Sequence, residues 1–293
     1  MKNKKLFVVL IMLFQILFVA QTLDAQKKVI IRCDDSGMCH SVNMAIKKLI
    51  ETGIPFSTSV MFVCPWYQEA VEILKANPQV SVGVHLTLTS EWKNYRWGPV
   101  LGRTVSSLTD NNGYFQASDS AFLKSKYKLD EVEKELRAQI ERGINSGLKI
   151  DYVDHHMFVA CATPELNSIV EKLAAEYNLA IAAYYDEGNE SVWGDRPEDK
   201  LTALKNFLAN FPVDKPNLLI MHIGMDDSEL NALVDESYKI DPFRTGKHRF
   251  AELEALGSKA FEMAVKSNNV KLITYRDLVS ELGLKVMKRP DNN

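Results

Sequence analysis

Cysteine is scarce, with four residues in a chain of 293. Cys33, Cys39, Cys64 and Cys161 have no C-x-x-C spacing, so the thiols supply no zinc motif of their own. Their even number permits a disulfide without requiring one, and Cys33, inside an apolar run, reads as a buried free thiol. Positive charge is not concentrated anywhere. The formal net charge is -3 and no long basic block occurs, which removes electrostatic support for nucleic-acid binding. Long apolar runs are absent except for Leu6 to Ala20, broken only by Gln15. That run is shorter than the ~20 residues a spanning helix needs. Lys2, Lys4 and Lys5 precede it and Leu23-Asp24-Ala25 follows, the pattern of a secretory signal peptide over residues 1–25. An N-terminal membrane anchor is the alternative. The expected product is one exported domain, residues 26–293, periplasmic or secreted and without a further membrane span.

What is present is a regular alternation of short β-rich runs and helical stretches. Strands are expected at Val29–Cys33, Ser57–Val63, Val80–Leu88, Tyr152–His156, Ala180–Tyr185, Asn217–Ile223 and Val270–Tyr275. Helices are expected at Ser41–Glu51, with Ser41 as N-cap, and at Pro65–Ala76, Leu129–Ser146, Pro164–Asn178, Pro197–Asn210 and His248–Ser267. About seven strand–helix units without internal repeats indicate a parallel sheet, and the length suits closure into a distorted TIM-like (β/α) barrel. Residues 89–128 are irregular and carry Trp92, Tyr95, Trp97, Tyr114 and Phe115. Aromatics on such a loop suit sugar stacking, and a satellite hydrophobic cluster is the equal alternative. An acidic loop spans 225–245.

Asp34-Asp35, His85, His155-His156 and His222 all fall at or near the C-terminal ends of expected strands, which share one face of a parallel barrel. The chain has six histidines, and four of them are in this set. Two imidazoles and a carboxylate form a divalent-cation site with positions left open. Neighbouring residues on an extended strand alternate faces, so the Asp pair divides its work. One carboxylate ligates while the other acts as base or orients a ligand, and an imidazole opposite serves as acid. Each residue alone also has a structural reading: the Asp pair as a turn, His85 as a packed core histidine. His40 and His248 are assigned to surface positions.

At these residues the chain resembles the YdjC/ChbG (HpnK-like) family of carbohydrate deacetylases. The segments are Ile30-Ile31-Arg32-Cys33-Asp34-Asp35-Ser36-Gly37, Ser57-Thr58-Ser59-Val60-Met61 and Val82-Gly83-Val84-His85-Leu86-Thr87-Leu88-Thr89, then Tyr152-Val153-Asp154-His155-His156, Met221-His222-Ile223-Gly224 and Thr274-Tyr275-Arg276-Asp277-Leu278. The resemblance implies a distorted (β/α) barrel, one divalent metal ion and removal of an acetyl group from an N-acetylated glycan. It implies Asp35, His85 and His156 as metal ligands, Asp34 as catalytic base, His222 as acid, and Arg276 orienting Asp34 or binding substrate, with a structural ion pair as the equal alternative for Arg276. Trp92 and Trp97 are the candidate sugar platforms. Zn²⁺ is the favoured ion, with Mg²⁺, Mn²⁺ and Co²⁺ as alternatives. The chain departs from the family pattern at Ser36 (usually Phe), His155 (usually Ser) and Ile223 (usually Pro). These departures leave hydrolysis of another amide, an ester or a phosphoester, or glycan binding without catalysis, as the alternative functions.

Overall fold

A computed structural model describes residues 26–236 and 241–290. The signal-peptide segment and part of the acidic loop lie outside the described residues. Among the described residues no helix is long and apolar enough to cross a membrane.

The elements in chain order are β1 (Lys27–Ser36), α1 (His40–Glu51), β2 (Ser57–Val60), α2 (Tyr67–Lys75), β3 (Ser81–Leu86), α3 (Asp119–Lys124), α4 (Leu129–Asn145), β4 (Ile150–His155), α5 (Pro164–Tyr177) and β5 (Ala180–Ile181). They continue with β6 (Gly188–Ser191), α6 (Lys200–Asn210), β7 (Asn217–Met221), α7 (Thr245–Leu256), α8 (Lys259–Ser267), β8 (Val270–Ile273) and α9 (Tyr275–Leu282). All pairings of these strands are parallel. The path runs β5-β4-β3-β2-β1-β7-β6, and β8 also pairs with β1. β8 takes Lys27 to Ile30 of β1 and β2 takes Arg32 to Ser36, so the two share one edge of the central strand. No pairing joins β5 to β6 among the described residues. The barrel is thus distorted by an open seam between those two strands.

β1 is central because Val29 to Cys33 are all buried, the near-continuous apolar run of a strand covered on both faces. The helices cover the sheet with their apolar stripes. α4 departs from that rule. Its Glu131, Glu135 and Gln139, spaced one turn apart, are buried together with its apolar residues. Glu135 accepts from the backbone N–H of Val100 and Leu101, Glu131 from that of Ser107, and Gln139 pairs with both backbone groups of Thr87. The polar face of α4 thus satisfies backbone groups at the end of β3 and N–H groups of the irregular 89–128 segment.

The seven expected strands are present, and the sheet adds an eighth, β6, whose polar and exposed Gly188–Ser191 carries no hydrophobic alternation. The four cysteines are free, Cys33 buried as expected. Two expectations need correction. The helix expected over 248–267 is two, because the Ser258 side chain accepts from Phe261 N and caps a new start after Gly257. Ser41 does not cap α1; its hydroxyl donates to Asp227 and Glu229.

β3 carries His85 near its C-terminal end, and Gly83 lets the strand pass. A Cβ at Gly83 would overlap the Tyr152 ring, which is fully buried and stacked 4.3 Å from Tyr275 of α9. The glycine is therefore set by packing inside the barrel. Gly83→Ala is expected to lower stability by about 1–3 kcal/mol, the usual cost of overpacking. Chemical denaturation measures it, and an unchanged midpoint contradicts the packing role.

Candidate active site

The site is built on a turn in β1. The β1–β2 register shifts between Cys33 and Ser36, and Asp35 takes a φ of 67°. Regular alternation would send Asp34 and Asp35 to opposite faces. The left-handed conformation, which aspartate tolerates better than most residues, brings both carboxylates within ligand distance of His85. Ser36 then leaves the site; its hydroxyl is 2.7 Å from that of Thr58 on β2.

Asp35, His85 and His156 converge. Asp35 Oδ1 is 3.4 Å from both His85 Nε2 and His156 Nδ1, and the two nitrogens are 3.3 Å apart. A tetrahedral ion with ligand bonds of about 2.1 Å spaces its ligands about 3.4 Å apart, so the triangle has the size of one face of such a site. Asp35 Oδ1 is buried and accepts no hydrogen bond in this arrangement. A buried acceptor without a donor is costly, and a divalent cation satisfies it. Of the adjacent histidines, it is His156 that faces the cluster. His155 is turned to the other side of β4, and burial lowers its pKa to about 4 despite the opposing charge of Asp154.

The surrounding shell holds the three candidate ligands in place. Arg249 of α7 donates to Asp35 Oδ2 at 2.6 Å, leaving Oδ1 for the cluster. Asp154 Oδ2 lies 3.0 Å from His85 Nδ1, so Nε2 is the nitrogen presented. Glu91 Oε2 lies 3.0 Å from His156 Nε2, which presents Nδ1. Arg32 grips Asp34 with two hydrogen bonds of 2.7 Å and reaches Asp154 at 3.0 Å. Four carboxylates (Asp34, Asp35, Asp154, Glu91) thus face two guanidiniums (Arg32, Arg249) in this contact network. With neutral imidazoles, the surplus negative charge matches a divalent cation.

The same surplus governs the protons. Burial opposes charge on His85, yet Asp154 and Asp34 raise it to about 10. Burial likewise opposes charge on His156, while Glu91 and Asp35 raise it to about 9. Asp35 is desolvated too, but Arg249 and the two imidazoles hold it well below the usual carboxylate range.

His222 follows the end of β7. Glu252 of α7 accepts from its backbone N–H at 2.6 Å, and the same carboxylate pairs with the fully buried Lys200 at 2.9 Å. Burial lowers the His222 pKa, against the pull of Asp35 and Asp34, so the ring is neutral at neutral pH. Its Nδ1 is buried without a hydrogen-bond partner, and the Trp193 ring lies 5.4 Å away.

Three sequence-derived site residues fall elsewhere. Arg276 does not reach Asp34. It pairs with Asp151 and the carbonyls of Pro78 and Val80, at the N-terminal ends of β3 and β4. β8 stops at Ile273, opposite Ile30, so the residues after it begin at the barrel's far end. Trp92 and Trp97 are buried in the main core, without the open ring face that sugar stacking needs. Trp97 donates to Thr89 O, and its ring stands 6.0 Å from that of His156 as packing behind the site. His40 is an exposed partner of Glu69, as expected, but His248 is buried against Trp193 and Arg244. Arg32, Arg249, Glu91, Asp154 and Trp193 are residues whose part in the site sequence reasoning missed. Arg32 and Asp154 carried a signal, since both sit within the strand-end motifs; the other three carried none.

Known proteins align with this arrangement. The family described as YdjC-like protein matches residues 28–267. A carbohydrate deacetylase of Brevibacillus brevis is 27% identical over 259 residues, covering 86% of this chain and 99% of the relative. A carbohydrate deacetylase of Listeria monocytogenes serotype 4a is 27% identical over 263 residues, covering 86% and 100%. A crystal structure from Enterococcus faecalis, of a protein assigned provisionally to cellobiose-phosphate cleavage, superposes with a TM-score of 0.71 at 26% identity, covering 86% of this chain and 99% of the other.

Because His85 and His156 hold protons up to about 10 and about 9, a cation must displace them. Loading Zn²⁺ or Mn²⁺ at pH 7.5 is expected to release protons, with apparent affinity rising as pH increases toward those values. Calorimetry in buffers of different ionisation enthalpy measures the release. His156→Ala is expected to lose the cation and His155→Ala to keep it; the reverse, or pH-independent affinity, contradicts this ligand set.

Proposed function

The chain belongs to the YdjC-like protein family, and from that premise we propose that it is a metal-dependent hydrolase that removes the acetyl group from an N-acetylated sugar or oligosaccharide. The observation that carries this reading is the triangle of Asp35 Oδ1, His85 Nε2 and His156 Nδ1, with separations of 3.3 to 3.4 Å. The two carbohydrate deacetylases that align along nearly their whole length support the substrate class. Residues 1–25 add export to the proposal, to the periplasm or the medium.

Asp35, His85 and His156 would hold the cation, with Zn²⁺ favoured by the two-imidazole, one-carboxylate set. When bound, a divalent cation supplies a Lewis acid for the acetamide carbonyl and increases the acidity of water. Asp34 is the base. It sits beside the cluster without belonging to the triangle, and Arg32 takes one lone pair from each of its oxygens. Each oxygen retains another lone pair, so Asp34 can accept a proton from the attacking water while its orientation stays fixed. Arg32 also spans to Asp154 and so couples the base to the carboxylate behind His85. His222 is the group for the leaving amine. Burial keeps the free ring neutral, so the proton His222 delivers to the leaving nitrogen is the one Asp34 takes from water, passed to the ring before the C–N bond breaks and leaving Asp34 ionised again. Its main chain is fixed by Glu252, and Trp193 flanks the ring on one side.

Acetate release from N-acetylated oligosaccharides, assayed with added Zn²⁺, Mn²⁺, Co²⁺ or Mg²⁺, tests the reaction. Asp34→Asn is expected to lower kcat by about 10²–10⁴-fold, the scale of general-base catalysis, while retaining the bound metal. Asp35→Asn is expected to lose the metal itself. Full activity in a His85→Ala, His156→Ala double variant contradicts the proposal.

A further inference from the structure

The seam between β5 and β6 is not packed shut. A cavity of about 820 Å³ fills it, within the range of small-molecule sites. One wall is His155 and Phe158, from the chain around His156; others are Tyr184 after β5, Asn189 of β6, and Lys288 and Arg289 from the C-terminal segment. His155 and Phe158 thus link the cavity through the chain to His156, which lies between them in sequence.

Its rim stores backbone strain. Of the seven non-glycine residues at positive φ among the described residues, Asn178, Asn269, Asp35 and Asp186 are types that adopt it more readily. The other three are Met157 and Phe158, directly after His156, and Ala183 beside the seam. Such conformations persist only where the surroundings enforce them, and they gather at functional sites. Here the enforcement is visible: the buried carboxylate of Glu187 accepts from Ala183 N at 3.1 Å and Tyr185 N at 2.7 Å. Phe158 presents a ring 58% exposed to solvent at the mouth of the cavity.

The C-terminal wall is also anchored. Lys288 N donates to Tyr184 O at 2.9 Å, and Arg289 pairs with Glu171 and Ser168 of α5. These residues lie beyond residue 267, where the family match ends, so part of the cavity is built from chain outside the matched region.

We propose that the seam cavity is a binding subsite for the glycan units extending beyond the acetylated sugar, with the Phe158 ring as their stacking platform and the C-terminal segment as one wall. This rests on the carbohydrate reading of the catalytic site. An exposed ring beside amide and charged side chains suits the apolar faces and hydroxyl edges of a sugar.

Calorimetric titration of the metal-loaded protein with N-acetylglucosamine and with its β-1,4-linked tetramer tests the subsite, and acetate release from both tests the reaction separately. The tetramer is expected to bind at least about tenfold more tightly than the monosaccharide, the scale of one aromatic contact. Phe158→Ala, and a chain ending at Met287, are each expected to abolish that ratio. Equal affinities, or a ratio unchanged in both variants, overturn the subsite. Acetate release without chain-length preference leaves the reaction standing and removes the subsite. A length-dependent affinity lost in both variants, without acetate release, does the opposite.

Discussion

The left-handed turn at Asp35 is the constraint on which the rest of the site depends. Without it, β1 would present Asp34 inward and Asp35 to the opposite face. With it, both carboxylates reach the end of the barrel, and the register shift against β2 absorbs the extra backbone path. Arg249 then secures one oxygen of Asp35, and the other is left unsatisfied between two imidazoles. Each part of this arrangement is unfavourable alone: a positive φ, a buried carboxylate, a lone acceptor. Together they form an arrangement whose costs a bound divalent cation would offset.

Around that turn the fold divides its polar groups into partners and reagents. Asp154 and Glu91 set which nitrogen each histidine presents, and Arg32 fixes Asp34. Lys200 and Glu252, both fully buried, tie His222 and the carbonyls of Val192 and Trp193 together. A buried ion pair is weak evidence of stability; this one has a geometric use, since it joins α6, α7, the loop after β6 and the end of β7 at one point. The opposite end of the barrel is covered by α9, with Tyr275 against Tyr152 and Arg276 on Asp151.

The strand ends were legible in the sequence because parallel strands buried on both faces are continuous apolar runs, and a polar residue that ends such a run stands out. Asp34, Asp35, His85, His156 and His222 were found in this way. Arg249 and Glu91 were not, because a helix-borne arginine and a loop glutamate look like surface residues until tertiary packing places them. Trp193 was hidden similarly, following a polar strand with no alternation. For Arg276 and for Trp92 and Trp97 the structural alternative holds. β8 reaches only halfway along β1, so Arg276 ends in an ion pair with Asp151 at the far end of the barrel. Glu131 and Glu135 of α4 bind backbone of the 89–128 segment, and its Trp92 and Trp97 pack inward.

The central claim is that Asp35, His85 and His156 hold one divalent cation. Anomalous diffraction from crystals grown with Mn²⁺ or Zn²⁺, collected at the metal edge, tests it most directly. The account predicts a single strong peak enclosed by Asp35 Oδ1, His85 Nε2 and His156 Nδ1, with Asp34 outside its ligand shell. A peak at the neighbouring group of Asp34, His85 and Asp154, or no peak in this pocket at saturating metal, would contradict it.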